Sequence, residues 1–427
     1  MNTKPQTLSP KNVRYLSFEG GGGKGAAYLG ALAAFAHPEV GLLRYDATTD
    51  DYYLRRWTSA DEPGIKGVAG ASVGAITASL LASGWGVRAL YEDVVSDRTA
   101  LAGFFDAAET THRSVPVALR PERESSPRAA TTTSCLDRET RPAFVKTPGT
   151  QSVRTAVERV VAFLSRNPAV RQFFRHPTGH LRNLRLDYGL FSGCAGQSFL
   201  ETSVEQGRFV AREATDDADG ATESSDREIT FREHRERTGL ELVLTGTNLR
   251  TGRGEYLSDR HGLGQMKVAD GVRISMGLPL LFKPVRVSRG APDRRYEGLW
   301  VDGGVLNNNP IHAFDHGSDG TLNEAVLGLR LEEDTDNEIT NLLTYIAAVG
   351  KTYLGASETR EIRTQREERR SISLPIPEDT LGLFEFTPSD GSVWKASVEA
   401  ANAVYDYFGI DASPESALSE VVGLRAP

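Results

Sequence analysis

Four consecutive glycines, Gly20 to Gly23, separate a short apolar run from a longer, alanine-rich one, and no other feature restricts this chain as strongly. Glycine loses more backbone freedom on folding than any other residue, so four in a row need a use that offsets that loss. Residues 14–18 read as a short strand, with Tyr15, Leu16 and Phe18 as its apolar content, and residues 26–36 as a helix ending before Pro38. Consecutive glycines between a strand and a helix leave several N–H groups free to point at an anion. The pattern then recurs: 64–69 reads as a strand, 70–74 as a turn and 75–82 as a helix of small residues. Strands alternating with helices predict an α/β domain with a largely parallel central sheet.

Further strands are expected at 240–248, 299–301, 326–331 and 371–376, and helices at 338–370 and 392–408. Residues 114–151 are rich in Pro, Arg, Ser and Thr without periodicity and read as a mobile, lid-like insertion. Residues 213–228 read as an exposed acidic loop. Residues 68–87 carry no charge over 20 positions, the length of a membrane span. They are rich in Ala, Gly and Ser, however, so their insertion energy is poor, and a buried strand–turn–helix explains them better. No transmembrane segment is expected. The polar residues 1–12 lack the basic-then-apolar pattern of a signal peptide, so the expected location is cytoplasmic, or secreted without such a leader.

The net charge of −8 argues against a nucleic-acid partner, which usually requires a basic face. It leaves a lipid surface open, because local patches can differ from the net charge. Two cysteines, Cys135 and Cys194, suggest neither a disulfide framework nor a thiolate metal site. No metal and no cofactor is expected.

Three short segments carry candidate chemistry. Gly70-Ala71-Ser72-Val73-Gly74 has the form G-x-S-x-G, in which a serine nucleophile stands on a sharp strand-to-helix turn. The helix after it would place its N–H groups and dipole beneath developing negative charge. Glu19-Gly20-Gly21-Gly22-Gly23-Lys24-Gly25 reads as a phosphate cradle or as an oxyanion hole. The Walker spacing fails, because Phe18 and Gly25 stand where it needs Gly and Ser/Thr. No acid that would bind a ribose follows a second strand, as a dinucleotide fingerprint requires. Val301-Asp302-Gly303-Gly304, followed by Asn307-Asn308-Asn309-Pro310, places an aspartate at a strand end where it can enter a crevice. Of the histidines His37, His112, His176, His180, His234, His261, His312 and His316, only His312 and His316 follow closely on a candidate motif. His176 and His180 flank a Pro-Thr-Gly turn.

Taken together and in this order, the three segments resemble the patatin-like phospholipase family. Its signatures are an acidic-Gly-Gly-Gly-x-Arg/Lys-Gly loop, a G-x-S-x-G elbow and a D-G-G/A motif. The loop here begins with glutamate in place of the more usual aspartate. Residues 244–249, 272–286 and 374–386 are similar to further parts of the family domain, and Ile274-Ser275-Met276 is similar to the branch holding secreted bacterial cytotoxins. The resemblance covers roughly residues 12–408 and implies a three-layer α/β/α fold with inserted loops. It implies a Ser72–Asp302 dyad, an oxyanion hole from Gly20, Gly21, Gly22 and Gly23, and support from Lys24, Gly25, Gly70, Gly74, Gly303 and Gly304. It further implies an acyl-enzyme route, calcium independence, an acyl-lipid substrate such as a phospholipid and transient contact with a membrane surface; a protein activator is left open. Two other readings stand beside it: a Ser-His-Asp α/β-hydrolase esterase, and a non-catalytic phosphate-binding module.

Overall fold

A computed structural model describes residues 7–97, 105, 116–117, 175–205, 229–287, 294–315, 321–333, 368–378, 380–382 and 387–427. The acidic loop at 213–228, all but the last turn of the helix expected at 338–370, and His112, His316 and Cys135 lie outside them. Of the insertion expected at 114–151, only Pro116–Val117 is described, as a short strand.

Nine strands form one sheet: β1 Tyr15–Phe18, β2 Gly67–Gly70, β3 Pro116–Val117, β4 Glu241–Asn248, β5 Arg253–Leu257, β6 Val285–Val287, β7 Gly298–Asp302, β8 Val326–Glu333 and β9 Ser371–Ile376. Their spatial order is β9-β8-β1-β2-β4-β7-β6-β3, with β5 paired to β4 off this path. From β9 to β4 every neighbouring pair is parallel. β7 then runs antiparallel to both β4 and β6. The expected parallel centre is therefore present, with a mixed edge that follows from β7.

Side chains alternate across the sheet as the pleat requires. Leu16, Phe18, Val68, Leu242 and Leu244 enter the large core under the helices. Ala69, Val243 and Val326 face the other way, onto Ile311, Ala313 and Phe314. The main helical cover comprises α1 Tyr28–Phe35, α2 Val73–Ala82, α3 Cys194–Glu205, α4 Val268–Ser275 and α5 Asp390–Phe408. The result is a three-layer α/β/α arrangement.

Within the described residues, the strands and helices read from sequence recur with shifted ends. One shift matters: the glycine run belongs to a 3-10 turn, Gly22–Ala27, and α1 starts only at Tyr28. The Pro-Thr-Gly stretch between His176 and His180 is not a turn but the first turn of helix Pro177–Asp187. Proline is favoured at a helix start, where its missing N–H would have no partner anyway. The antiparallel pair Leu43–Asp46 and Asp51–Leu54 was not expected.

Strand register sets the level of each candidate residue. Phe18 of β1 pairs with Gly70 of β2, and Gly70 pairs with Leu244 of β4. The segments after β1 and β2 thus leave the same sheet edge side by side. β4 continues four residues beyond Leu244, and Asp302 of β7 pairs with Gly246 on that overhang. An antiparallel strand thereby delivers its last residue to the level of Ser72.

At the root of α2, a Cβ on Gly74 would lie 2.3 Å from the Phe18 carbonyl oxygen and 2.6 Å from that of Glu19. Backbone touches backbone there, so nothing can yield cheaply. Gly74→Ala should lower stability by roughly 1–3 kcal/mol, seen as a lower urea midpoint with an unchanged m-value.

Candidate active site

Ser72 sits between β2 and α2 with φ 51° and ψ −122°. A non-glycine residue in such a conformation is strained and must be held by its surroundings. Three restraints are visible. The Gly74 backbone lies against β1, as above. The Ala71 N–H donates to the Phe18 carbonyl at 3.2 Å. The Ser72 N–H itself donates to Oγ of Ser275, the fully buried last residue of α4, at 3.1 Å. Sequence reasoning placed Ser275 only within a similar segment and gave it no role. A contact spanning 203 positions leaves no local signal.

Asp302 is completely buried. Its Oδ1 accepts the Gly304 N–H at 2.7 Å, and Oδ2 has no full hydrogen-bond partner. The Ser72 hydroxyl faces the carboxyl closely enough to stabilise its charged form. Burial dominates, however, and pushes the pKa up to about 7, against the opposing pull of the Gly304 N–H and Ser72. The structure thus brings together Ser72 and Asp302, which lie far apart in sequence.

The glycine loop closes the third side. An ideal Cβ on Gly20 would lie 3.0 Å from Cβ of Ser72, so loop and serine are in direct contact. Gly22 has φ 56°, a left-handed conformation that favours glycine. Glu19, buried to 1% exposure, ties the loop down: Oε2 accepts the Leu331 N–H of β8 at 2.7 Å, and Oε1 accepts from Asn308 Nδ2 at 3.2 Å. Asn308 Nδ2 also donates to the Gly20 carbonyl at 3.1 Å. The glutamate is therefore a structural clamp, and its extra methylene over aspartate extends its reach towards β8. Gly20 donates its own N–H to the Asn308 carbonyl at 3.0 Å, so that N–H is already committed. Gly22 and Gly23 instead begin the 3-10 turn, where N–H groups have no partner inside the helix, and both line a cavity beside Ser72. Lys24 is buried within the turn and does not line that cavity.

The cavity opens to solvent, and its space together with the solvent at its mouth amounts to about 960 Å³. Ser72 stands in its wall with Leu29, Leu32, Ile76, Leu80 and Phe282 among the lining residues. Among the described residues, no charged side chain lines it. Among the described histidines, His37 accepts from the Glu39 N–H, His180 meets the Leu190 carbonyl and His261 meets Ser258. His234 is fully buried, and burial lowers its pKa to about 4. His312 pairs through Nδ1 with Asp315 at 2.7 Å and with Arg370. None of these contacts involves Ser72 or Asp302.

A family model described as patatin-like phospholipase matches residues 16–315. The chain is 30% identical over 151 residues to the uncharacterized protein YqhO of Bacillus subtilis, covering 34% of this chain and 50% of that one. It is 31% identical over 85 residues to the probable lipid hydrolase 463L of Invertebrate iridescent virus 6, covering 20% of this chain and 26% of that one. The chain thus spans half or less of the length of these two relatives. Among solved structures, VipD from Legionella pneumophila is similar at 15% identity and a TM-score of 0.43, over 93% of this chain and 67% of that one.

The raised pKa of Asp302 has a sign that stability measurements can read. Below about pH 4 its carboxyl is protonated in both folded and unfolded chains and contributes nothing. From there to about pH 7 the unfolded chain ionises while the native carboxyl keeps its proton, so stability falls as pH rises. Asp302→Asn, which keeps the acceptor for Gly304, should therefore melt higher than wild type at pH 8, by on the order of 4 kcal/mol in stability. The gap should close as the pH is lowered towards 4.

Proposed function

The chain belongs to the patatin-like phospholipase family, and we propose that it is a lipid acyl hydrolase of the phospholipase A or lysophospholipase type. In this reading Ser72 is the nucleophile and Asp302 its sole proton partner. The observation that carries it is the strained Ser72 in the wall of an apolar cavity, its hydroxyl facing a carboxyl held dry.

An aspartate of ordinary pKa is too weak a base to take a serine proton efficiently. With its pKa near 7, Asp302 is matched to that task at neutral pH. Ser72 Oγ attacks the ester carbonyl carbon while its proton passes to Asp302. The carbonyl oxygen becomes an oxyanion facing N–H groups of Gly21, Gly22 and Gly23. Gly20 is left out of that set because its N–H is already donated. The tetrahedral adduct collapses, the alcohol leaves with the proton from Asp302, and the acyl group remains on Ser72. Water then repeats the attack with Asp302 again the base, which releases the fatty acid and restores both groups. The apolar cavity accommodates the acyl chain, and no metal ion takes part.

The histidine-dependent reading lacks support among the described residues: the hydrogen bonds of His312 run to Asp315 and Arg370 and not to Ser72, whose hydroxyl faces Asp302 instead. The phosphate-cradle reading is weaker too, since the space beside the loop is apolar and Lys24 does not line it.

Ser72→Ala and Asp302→Asn should each lower hydrolysis of a phospholipid panel by on the order of 10⁴-fold, and Ser72→Ala should abolish labelling by a fluorophosphonate. His312→Ala should remain active; a dead His312 variant with an active Asp302→Asn enzyme would reverse the assignment. In wild type, kcat/KM on a soluble ester should rise with a single ionisation near pH 7 and level off above it. Ser275→Ala should lower kcat about 10-fold with little change in KM, because it loosens the nucleophile and not the acyl site.

A further inference from the structure

Four of the eight large hydrophobic side chains exposed among the described residues belong to one small motif. Helix Pro177–Asp187 leads into strand Gly189–Phe191, which pairs in parallel with strand Leu280–Phe282. Leu181, Leu186, Tyr188 and Leu280 are exposed by 53%, 59%, 57% and 65%. At 100° per residue, Leu181, Arg182, Arg185 and Leu186 share one face of the helix, and all four are exposed.

Two further observations separate this face from ordinary surface leucines. First, among the described residues only four non-glycine positions have positive φ; one is Ser72, and two are Tyr188 and Leu280. Leu280 pairs with Gly189, so these two strained residues are neighbours across the strands. A leucine held in a left-handed conformation and still exposed costs stability twice, which points to a use outside the fold. Second, the charge is local and opposite to that of the chain. Arg175, Arg182 and Arg185 are exposed in a protein of net charge −8. The acid of this helix, Asp187, is paired with Lys283 at 2.8 Å. The motif also adjoins the cavity beside Ser72: Leu278 and Phe282, on either side of Leu280, line it.

We propose that this face docks on a lipid bilayer bearing anionic headgroups and brings the cavity mouth to the acyl chains. The proposal deepens the lipid-hydrolase reading and rests on it. Leu181, Leu186, Tyr188 and Leu280 enter the headgroup–acyl boundary while the arginines meet the headgroup phosphates, the combination by which interfacial helices bind. A bilayer fits this face better than a second protein, because its apolar residues are interleaved with the exposed cations Arg182 and Arg185, opposite in sign to the net charge of the chain.

Binding is measured with the full chain carrying Ser72→Ala, so that vesicles are not consumed. It should bind phosphatidylcholine vesicles containing phosphatidylglycerol more tightly than phosphatidylcholine alone, with the difference reduced by salt. Adding either Leu181→Ser with Leu186→Ser, or Arg182→Glu with Arg185→Glu, should weaken binding to anionic vesicles about tenfold or more. In the active protein the same substitutions should slow hydrolysis of vesicle phospholipid and leave turnover of a short-chain soluble ester unchanged, which also shows that the variants fold. Undiminished vesicle binding by both variant pairs would overturn the proposal. So would a dimeric parent that the substitutions make monomeric, which assigns the face to a second copy. A parent that binds anionic vesicles through this face yet hydrolyses no ester would sink the enzymatic reading alone.

Discussion

Everything at the candidate site depends on keeping one carboxyl out of water. Asp302 is completely buried, with one oxygen on the Gly304 N–H and the other without a full partner. Glu19, almost as buried, is treated in the opposite way: both its oxygens accept hydrogen bonds, from Leu331 and Asn308. Two buried acids on adjoining parts of one sheet edge thus differ in how well they are satisfied, and this difference separates their roles. The satisfied acid fixes the glycine loop. The under-satisfied one retains affinity for a proton, which is the property a base for serine needs. The cost of that under-satisfaction is met by the core around the sheet, where Trp300, two residues before Asp302, is fully buried.

The arrangement follows from register. β4 overhangs its parallel neighbours, and β7 runs antiparallel down that overhang and ends opposite Gly246 with Asp302. The overhang of β4 thus supplies the partner on which a strand-end acid reaches the level of a serine that follows a parallel strand. The same geometry places Ser275 beneath the Ser72 N–H, since α4 packs against both β4 and α2. The strain at Ser72 is therefore held from two elements, β1 and α4, that lie far from it in sequence.

The parts of this site that sequence disclosed are those whose physical demands are local. A serine on a strand-to-helix turn needs small residues on both sides. An anion-facing loop needs glycines, and an acid at a strand end needs a tight turn after it. Each demand is written within a few consecutive residues, so Ser72, Gly20 to Gly23 and Asp302 could be read as candidates. Ser275, the Glu19–Asn308 clamp and the donation of the Gly20 N–H to Asn308 were not legible, because each joins residues about 200 or more positions apart. The helix start at Pro177 was misread for a different reason: Pro-Thr-Gly satisfies turn chemistry and helix-initiation chemistry equally, and only the packing of His180 and Asn183 beneath that helix decides between them.

The cavity ties the acid–base chemistry to the class of ligand. A wall of Leu, Ile, Phe and Val excludes water from Ser72 and adjoins the site that desolvates Asp302; a polar wall would admit water and let the carboxyl return towards its ordinary range. An acyl chain entering the cavity displaces further water and strengthens the same effect. A small polar ester would bring hydration with it and forgo that contribution. On the proposed mechanism, preference for a long apolar acyl group is thus a consequence of how the base is made. Binding and activation draw on one physical quantity, the dryness of the space between β1, α2 and β7.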